Sequence, residues 1–125
     1  MIRVEITTEL LDYAKEMAEL KSSLEVGSIV SFLGVVRSER GEVKSLLYER
    51  YEEMGEEMLK KIAEEAIEKF GIERMTIIHR WGQIPAGEDV VFCGASSVHR
   101  SEGFEACSWV MDRIKEIVPI WKLPL

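Results

Sequence analysis

The chain holds two histidines, and each is followed directly by an arginine: His79-Arg80 and His99-Arg100. His99-Arg100-Ser101 falls where an apolar strand gives way to a helix. The first turn of a helix presents unpaired N–H groups and partial positive charge, so a histidine and an arginine there make a good anion site. The competing reading has Ser101 capping the helix and Arg100 solvated, and the triplet alone leaves both open. His79-Arg80 ends the preceding strand. If the two strands end side by side, four donor or cationic groups converge, whereas simple alternation sends one member of each pair to the opposite face. Arg37 ends an apolar run, where a charge marks contact with water unless that end of the sheet faces a pocket. Lys115 lies on the last helix beside Met111 at i−4 and Val118 at i+3. An amine wrapped by apolar groups there can serve as base, nucleophile or fixed cation. It can equally snorkel to solvent and pair with Asp112 at i−3. Lys122 stands between Trp121 and Leu123 in an extended tail.

Other chemistries find no footing. There is no HxxxH, CxxC or HxE spacing, so neither a metal nor a resident cofactor is expected. No P-loop, GxGxxG or GxSxG occurs, and no carboxylate pair stands out. Cys93 and Cys107 sit within apolar runs and read as reduced, buried and structural. The net charge of −7 argues against a nucleic-acid backbone as partner, because phosphate binding on that scale needs a basic surface. A local basic pocket for an anionic small molecule remains compatible with it. No apolar stretch approaches the length of a membrane span and no signal-peptide pattern opens the chain, so a cytoplasmic location and no membrane partner are expected.

The elements that must position these residues follow from periodicity. With 125 residues, 46% of them apolar, one domain over 1–125 with one core is expected. A short strand over Arg3 to Ile6 precedes a helix capped by Thr8, with Leu10, Leu11, Ala14, Met17, Ala18 and Leu20 as its stripe. Ser28 to Val36 reads as a buried strand. After turn residues from Ser38 to Glu42, Val43 to Tyr51 reads as its hairpin partner. Glu52 to Phe70 is the clearest helix, with Gly71 at its C′ position. Arg74 to Trp81 and Asp89 to Val98 are strands joined by the turn-rich Gly82 to Glu88. A third helix from about Ser101 to Val118 carries Phe104, Cys107, Val110, Met111, Ile114 and Ile117, stops at Pro119, and leaves an extended tail from Ile120 to Leu123. Adjacent paired strands favour antiparallel hairpins, hence an α+β fold with three main helices.

Taken in order, Gly27-Ser-Ile-Val-Ser-Phe-Leu-Gly-Val-Val-Arg37, Leu47-Tyr-Glu-Arg-Tyr51, Ile78-His-Arg-Trp-Gly82, Val98-His-Arg-Ser-Glu-Gly-Phe-Glu-Ala106, Met111-Asp-Arg-Ile-Lys115 and Pro119-Ile-Trp-Lys122 resemble the molybdopterin synthase large-subunit family from Gly27 to Lys122. The resemblance implies a hammerhead-type α+β fold and a central homodimer. It also implies a small ubiquitin-like subunit on each large one, giving a heterotetramer. The small subunit's C-terminal Gly-Gly thiocarboxylate would donate sulfur to cyclic pyranopterin monophosphate, making the enzyme a sulfurtransferase of molybdenum-cofactor biosynthesis.

By that resemblance Lys115 is the catalytic residue and Lys122 assists it. His99 and Arg100 bind substrate with Arg37 in support, and Phe32 and Met111 line the pocket. Both substrates are anionic, which suits the cations. Family members carry residues beyond the Trp-Lys pair that can reach a neighbouring subunit with an arginine. The sequence here runs to Leu125, so a site without that contribution is expected. The alternatives are a non-catalytic module that binds a ubiquitin-like partner and an α+β domain that binds an anionic metabolite.

Overall fold

The computed structural model describes residues 1–21, 23–37, 44–46, 52–117 and 121–124. Their order is β1 (Ile2–Thr7), α1 (Tyr13–Leu20), β2 (Ser28–Val35), β3 (Lys44–Leu46), α2 (Glu52–Phe70), β4 (Arg74–Arg80), β5 (Asp89–Ser97), α3 (Arg100–Ile117) and β6 (Trp121–Pro124). The expected turn from Ser38 to Glu42, most of the expected Val43 to Tyr51 strand and the stop at Pro119 lie outside the described residues.

Four strands form one sheet in the order β1-β4-β5-β2. The β4–β5 and β5–β2 pairs are antiparallel, as an α+β fold leads one to expect, but β1 runs parallel to β4. The parallel pair follows from connectivity, because β1 and β4 are distant in sequence and no hairpin constrains them. Among the described residues, β2 and β3 do not form the expected hairpin. β2 pairs with β5, while β3 pairs with β6, the tail read from sequence as merely extended. Sequence proximity favours hairpins, but here the apolar β2 takes the longer apolar β5 as its neighbour.

One face of the sheet carries α2 and α3, and the other carries α1. Met75, Ile77, Cys93 and Ala95 alternate onto the first face. They pack on Leu59, Ile62, Ala63 and Ala66 of α2 and on Ala106, Cys107, Val110 and Ile114 of α3. Ile78 and Phe92 point the other way, onto Leu20, as the two-residue period of a strand requires. Gly94 belongs to that face for steric reasons: a Cβ there would come within 2.6 Å of the Leu20 side chain.

α2 begins and ends as its periodicity predicts, and Gly71 closes it at φ 68°. The first helix is shorter than expected. It starts at Tyr13, capped by the Asp12 carboxylate, which accepts from the Lys15 N–H at 3.2 Å. Thr8 is therefore not the cap, and Leu10 is exposed. Glu16 is buried instead, its carboxylate bound twice by Arg3 at 2.8 and 2.9 Å. That contact holds the Arg3 guanidinium more firmly protonated than usual. α3 begins one residue earlier than expected, so Ser101 lies inside the first turn. Its inner stripe includes Gly103 and Ala106, while Phe104 is 61% exposed and outside the core.

Candidate functional site

Three strands and one helix converge on a cavity of about 530 Å³ lined by Phe32, Gly34, Val35, Arg37, His79, Val90, Val91, Met111, Ile114 and Lys115. Sheet register explains the grouping. Gly34 pairs with Val91, and Val91 pairs with His79, so the three stand in one row across β2, β5 and β4. Alternation puts that row on the face that carries Ile77 and Cys93, against α3. Glycine at 34 is what lets Val91 and Phe32 pack over the row. A Cβ there would sit 2.5 Å from the Val91 side chain and 3.3 Å from the Phe32 ring. α3 runs back along β5 and brings Met111, Ile114 and Lys115 over the same end of the sheet. Lys115 lies in the last helical turn, where a cation is favoured by the helix dipole.

The loop after β4 fixes the rim. Arg80 is buried, and its guanidinium donates to the Asp89 carbonyl at 2.6 Å and to the Glu88 carboxylate at 3.1 Å. The Glu88 carbonyl in turn accepts from the Val36 N–H at 2.9 Å, and the Gly87 N–H donates to the Val36 carbonyl at 2.8 Å. Gly82 and Gly87 take positive φ, which lets this loop fold back to meet β2. The residue held beside this junction is Arg37.

A second, shallower cavity of about 420 Å³ shares Phe32, Met111 and Lys115 with the first and adds Val30, Phe104, Cys107 and Asp112. The exposed Phe104 thus belongs to this surface groove. Both cysteines are buried and unbridged. Hydrogen bonding to Cys107, together with burial, pushes the Cys93 thiol up, so it stays protonated and unreactive.

The structure brings together Arg37, Lys115, Phe32 and Met111. It does not bring His99 and Arg100 to them. Because β4 and β5 are antiparallel, the two His-Arg pairs end at opposite ends of the sheet. Arg100 opens α3 and Lys115 nearly closes it, a separation of roughly 22 Å along the helix axis. The expectation that the two pairs lie at matching strand ends is therefore corrected by strand direction. His99 and Arg100 are exposed, and the Ser97 hydroxyl donates to the His99 carbonyl at 2.5 Å to set that turn. The helix N-terminus already faces a carboxylate of its own. The Ser101 hydroxyl donates to Glu102 at 2.6 Å, and it and nearby backbone N–H groups hold that carboxyl below its usual range. Lys122 lies on β6, whose Trp121 pairs with Leu46 of β3; its side chain is outside the described residues. His79, which the resemblance leaves without a role, joins the cavity. The available signal was its place at the strand end, two residues after the core residue Ile77.

These features define a class: an α+β protein whose sheet ends in a cation-bearing cavity suited to an anionic small molecule. The chain belongs to the MoaE protein family, whose sequence profile matches residues 6–117. Among its relatives is the molybdopterin synthase catalytic subunit of Pyrococcus abyssi, 42% identical over 110 residues that cover 86% of this chain and 74% of that protein. Solved structures agree. The molybdopterin biosynthesis MoaE protein from Burkholderia ambifaria superimposes with a TM-score of 0.88 at 30% identity, covering 98% of this chain and 82% of that one. The molybdopterin synthase from Staphylococcus aureus gives 0.85 at 33% identity, covering 97% and 89%. Among the described residues no helix is long and apolar enough to cross a membrane, and no group of three His, Cys, Asp or Glu could hold a metal.

Proposed function

We propose that this chain is the sulfur-transferring large subunit of a molybdopterin synthase, with its reaction in the cavity bounded by Lys115, Arg37 and His79. The observation that carries the reading is the convergence of Lys115, Arg37, Phe32 and Met111 on one cavity, from two stretches of sequence far apart in the chain. The acceptor is cyclic pyranopterin monophosphate, and the donor is the thiocarboxylate at the C-terminus of a small ubiquitin-like subunit. Arg37 offers a planar fork to a phosphate or carboxylate. Lys115 stands where the two cavities meet, positioned to hold the donor's acyl end as the sulfur leaves it, with Lys122 assisting from the tail.

His99 and Arg100 enter the same reading through a second copy. Roughly 22 Å of helix separates Arg100 from its own chain's Lys115, so these two residues serve a site by reaching the partner protomer's cavity in a homodimer. Exposed apolar residues on edge strand β2 (Phe32, Leu33 and Val35) and Phe104 on α3 support docking of protein on this side. The test is reconstitution. The chain, mixed with a thiocarboxylated small subunit and the cyclic pterin, should produce dithiolene-bearing pterin detectable by mass. Tight binding of both without product would leave a non-catalytic binding module.

A further inference from the structure

We propose that Arg80, although its side chain does not line the cavity, is a positioning residue for substrate capture: it fixes where Arg37 stands at the cavity rim. The assignment rests on the reading above, in which Arg37 meets an anionic group of the substrate. Alternation along β4 sends His79 to the cavity face and Arg80 to the face that carries α1. Arg80 is 7% exposed there. Its guanidinium donates to the Asp89 carbonyl at 2.6 Å and to the Glu88 carboxylate at 3.1 Å, while its Nε has no hydrogen-bond partner among the described residues. Asp89 is held from a second side, because its carboxylate accepts from the Tyr13 hydroxyl of α1. A buried guanidinium with an N–H left over is a poor device for stability, since an apolar side chain of similar volume is often as good or better. What the planar fork adds is direction, two contacts at fixed angles.

Those contacts reach Arg37 through one residue. The β2–β5 ladder stops where Val35 pairs with Asp89. Beyond it the loop takes over: the Val36 N–H donates to the Glu88 carbonyl at 2.9 Å, and the Val36 carbonyl accepts from the Gly87 N–H at 2.8 Å. Both backbone groups of Val36 are thus tied to Gly87 and Glu88, and the residue that follows is Arg37. Arg80 grips the same segment at the Glu88 side chain and at the Asp89 backbone. Val36 is itself buried, so its backbone groups depend on these partners rather than on water. A shift of the loop therefore moves Arg37, and an error of about 1 Å is enough to spoil the alignment of a guanidinium with an anion. The middle of the loop has an apolar anchor of its own, Ile84, which is buried. Loss of the Arg80 contacts then leaves the fold in place and releases the rim.

The test is calorimetric binding of cyclic pyranopterin monophosphate to the complex with the small subunit in its carboxylate form, where no sulfur can transfer. Arg80→Met keeps apolar bulk but not the fork. Glu88→Ala, at a half-exposed side chain, breaks the same contact without disturbing the core. Each is made alone and together with Arg37→Ala, with thermal melting of all. Arg80→Met should weaken binding roughly five- to tenfold, no more than Arg37→Ala does by itself, and Glu88→Ala should weaken it by less. In the Arg37→Ala background either change should add less than about twofold, because the residue it acts through is gone. Parent-like affinity in a folded Arg80→Met overturns the assignment. Equal losses with and without Arg37 also overturn it, since a general loosening of the fold acts in both backgrounds. If Arg80→Met does not fold, Glu88→Ala decides by the same two criteria. Turnover of the parent with thiocarboxylated small subunit is measured alongside. A parent that binds the pterin but makes no dithiolene overturns the sulfur-transfer reading, with the binding cycle still deciding Arg80. A parent that binds no pterin overturns both.

Discussion

Lys115 bears the sharpest prediction at the residue scale, because its two readings differ by orders of magnitude. If it merely lies along the stripe and pairs with Asp112, Lys115→Ala costs a few tenths of a kcal/mol in stability and leaves turnover intact. Placed at the junction of the two cavities, it should instead cost on the order of 10²-fold or more in turnover, with folding and partner binding kept. Lys115→Arg preserves charge but cannot lose its proton, so its rate separates an electrostatic role from base or nucleophile. The cysteines make the opposite case. Cys93 and Cys107 fill the joint between β5 and α3, where the Cys107 thiol donates to the Val30 and Cys93 carbonyls at 3.5 and 3.7 Å. Changing both to alanine should lower stability by roughly 0.5–3 kcal/mol in a denaturant titration. Sulfur transfer per folded molecule should be unchanged, since the sulfur comes from the donor.

At the scale of elements, the cavity wall depends on the missing side chain at Gly34 in β2. Gly34 leaves room beside Val91 and Phe32 that no side chain can share. Gly34→Ala should therefore overpack the row at a cost of about 1–3 kcal/mol and push Phe32 or Val91 into the cavity. Melting should fall, and KM for the pterin should rise more than kcat falls. A variant with parent-like KM would mean that substrate does not reach this row. The loop from Gly82 to Glu88 is the complementary device. Arg80 and the paired Val36 backbone fasten it to the end of β2, so the sheet end that holds Arg37 and His79 is braced from outside the cavity.

For the whole molecule, the decisive feature is the length of α3. It places Arg100 at one end and Lys115 at the other, so one chain cannot supply both to one small ligand. A shared site makes a specific demand. Arg100→Ala should weaken substrate capture by a contact of roughly 1.5–3 kcal/mol, on the order of tenfold or more in affinity. Mixing inactive Lys115→Ala chains with Arg100→Ala chains should restore activity. In random one-to-one mixing, half the dimers are mixed and each holds one intact site of two, giving about a quarter of the parent rate. Two variants that stay additive in the mixture would confine each site to one protomer. Light scattering that finds a stable monomer at micromolar concentration, with or without the small subunit, would remove the dimer altogether.

Much of this was legible in the chain itself because local rules decided it. The charged and apolar periodicity of Glu52 to Phe70, with Gly71 to end it, marks α2 to the residue. β-rich runs from Arg74 and Asp89 locate β4 and β5 within a residue or so. The ordered blocks from Gly27 to Lys122 carry the family, together with Arg37 and Lys115, which line the cavity. What sequence left undecided were long-range choices. Periodicity says that a segment is a strand but not which neighbour it takes, so the pairing of β2 with β5, of β3 with β6 and of β1 parallel to β4 came from packing of the whole sheet. Strand direction, invisible in a list of residues, sent His79-Arg80 and His99-Arg100 to opposite ends. Register alone set His79 beside Val91 and Gly34 in the cavity wall, because a side chain's company across a sheet is fixed by hydrogen-bonded alignment between strands far apart in the chain.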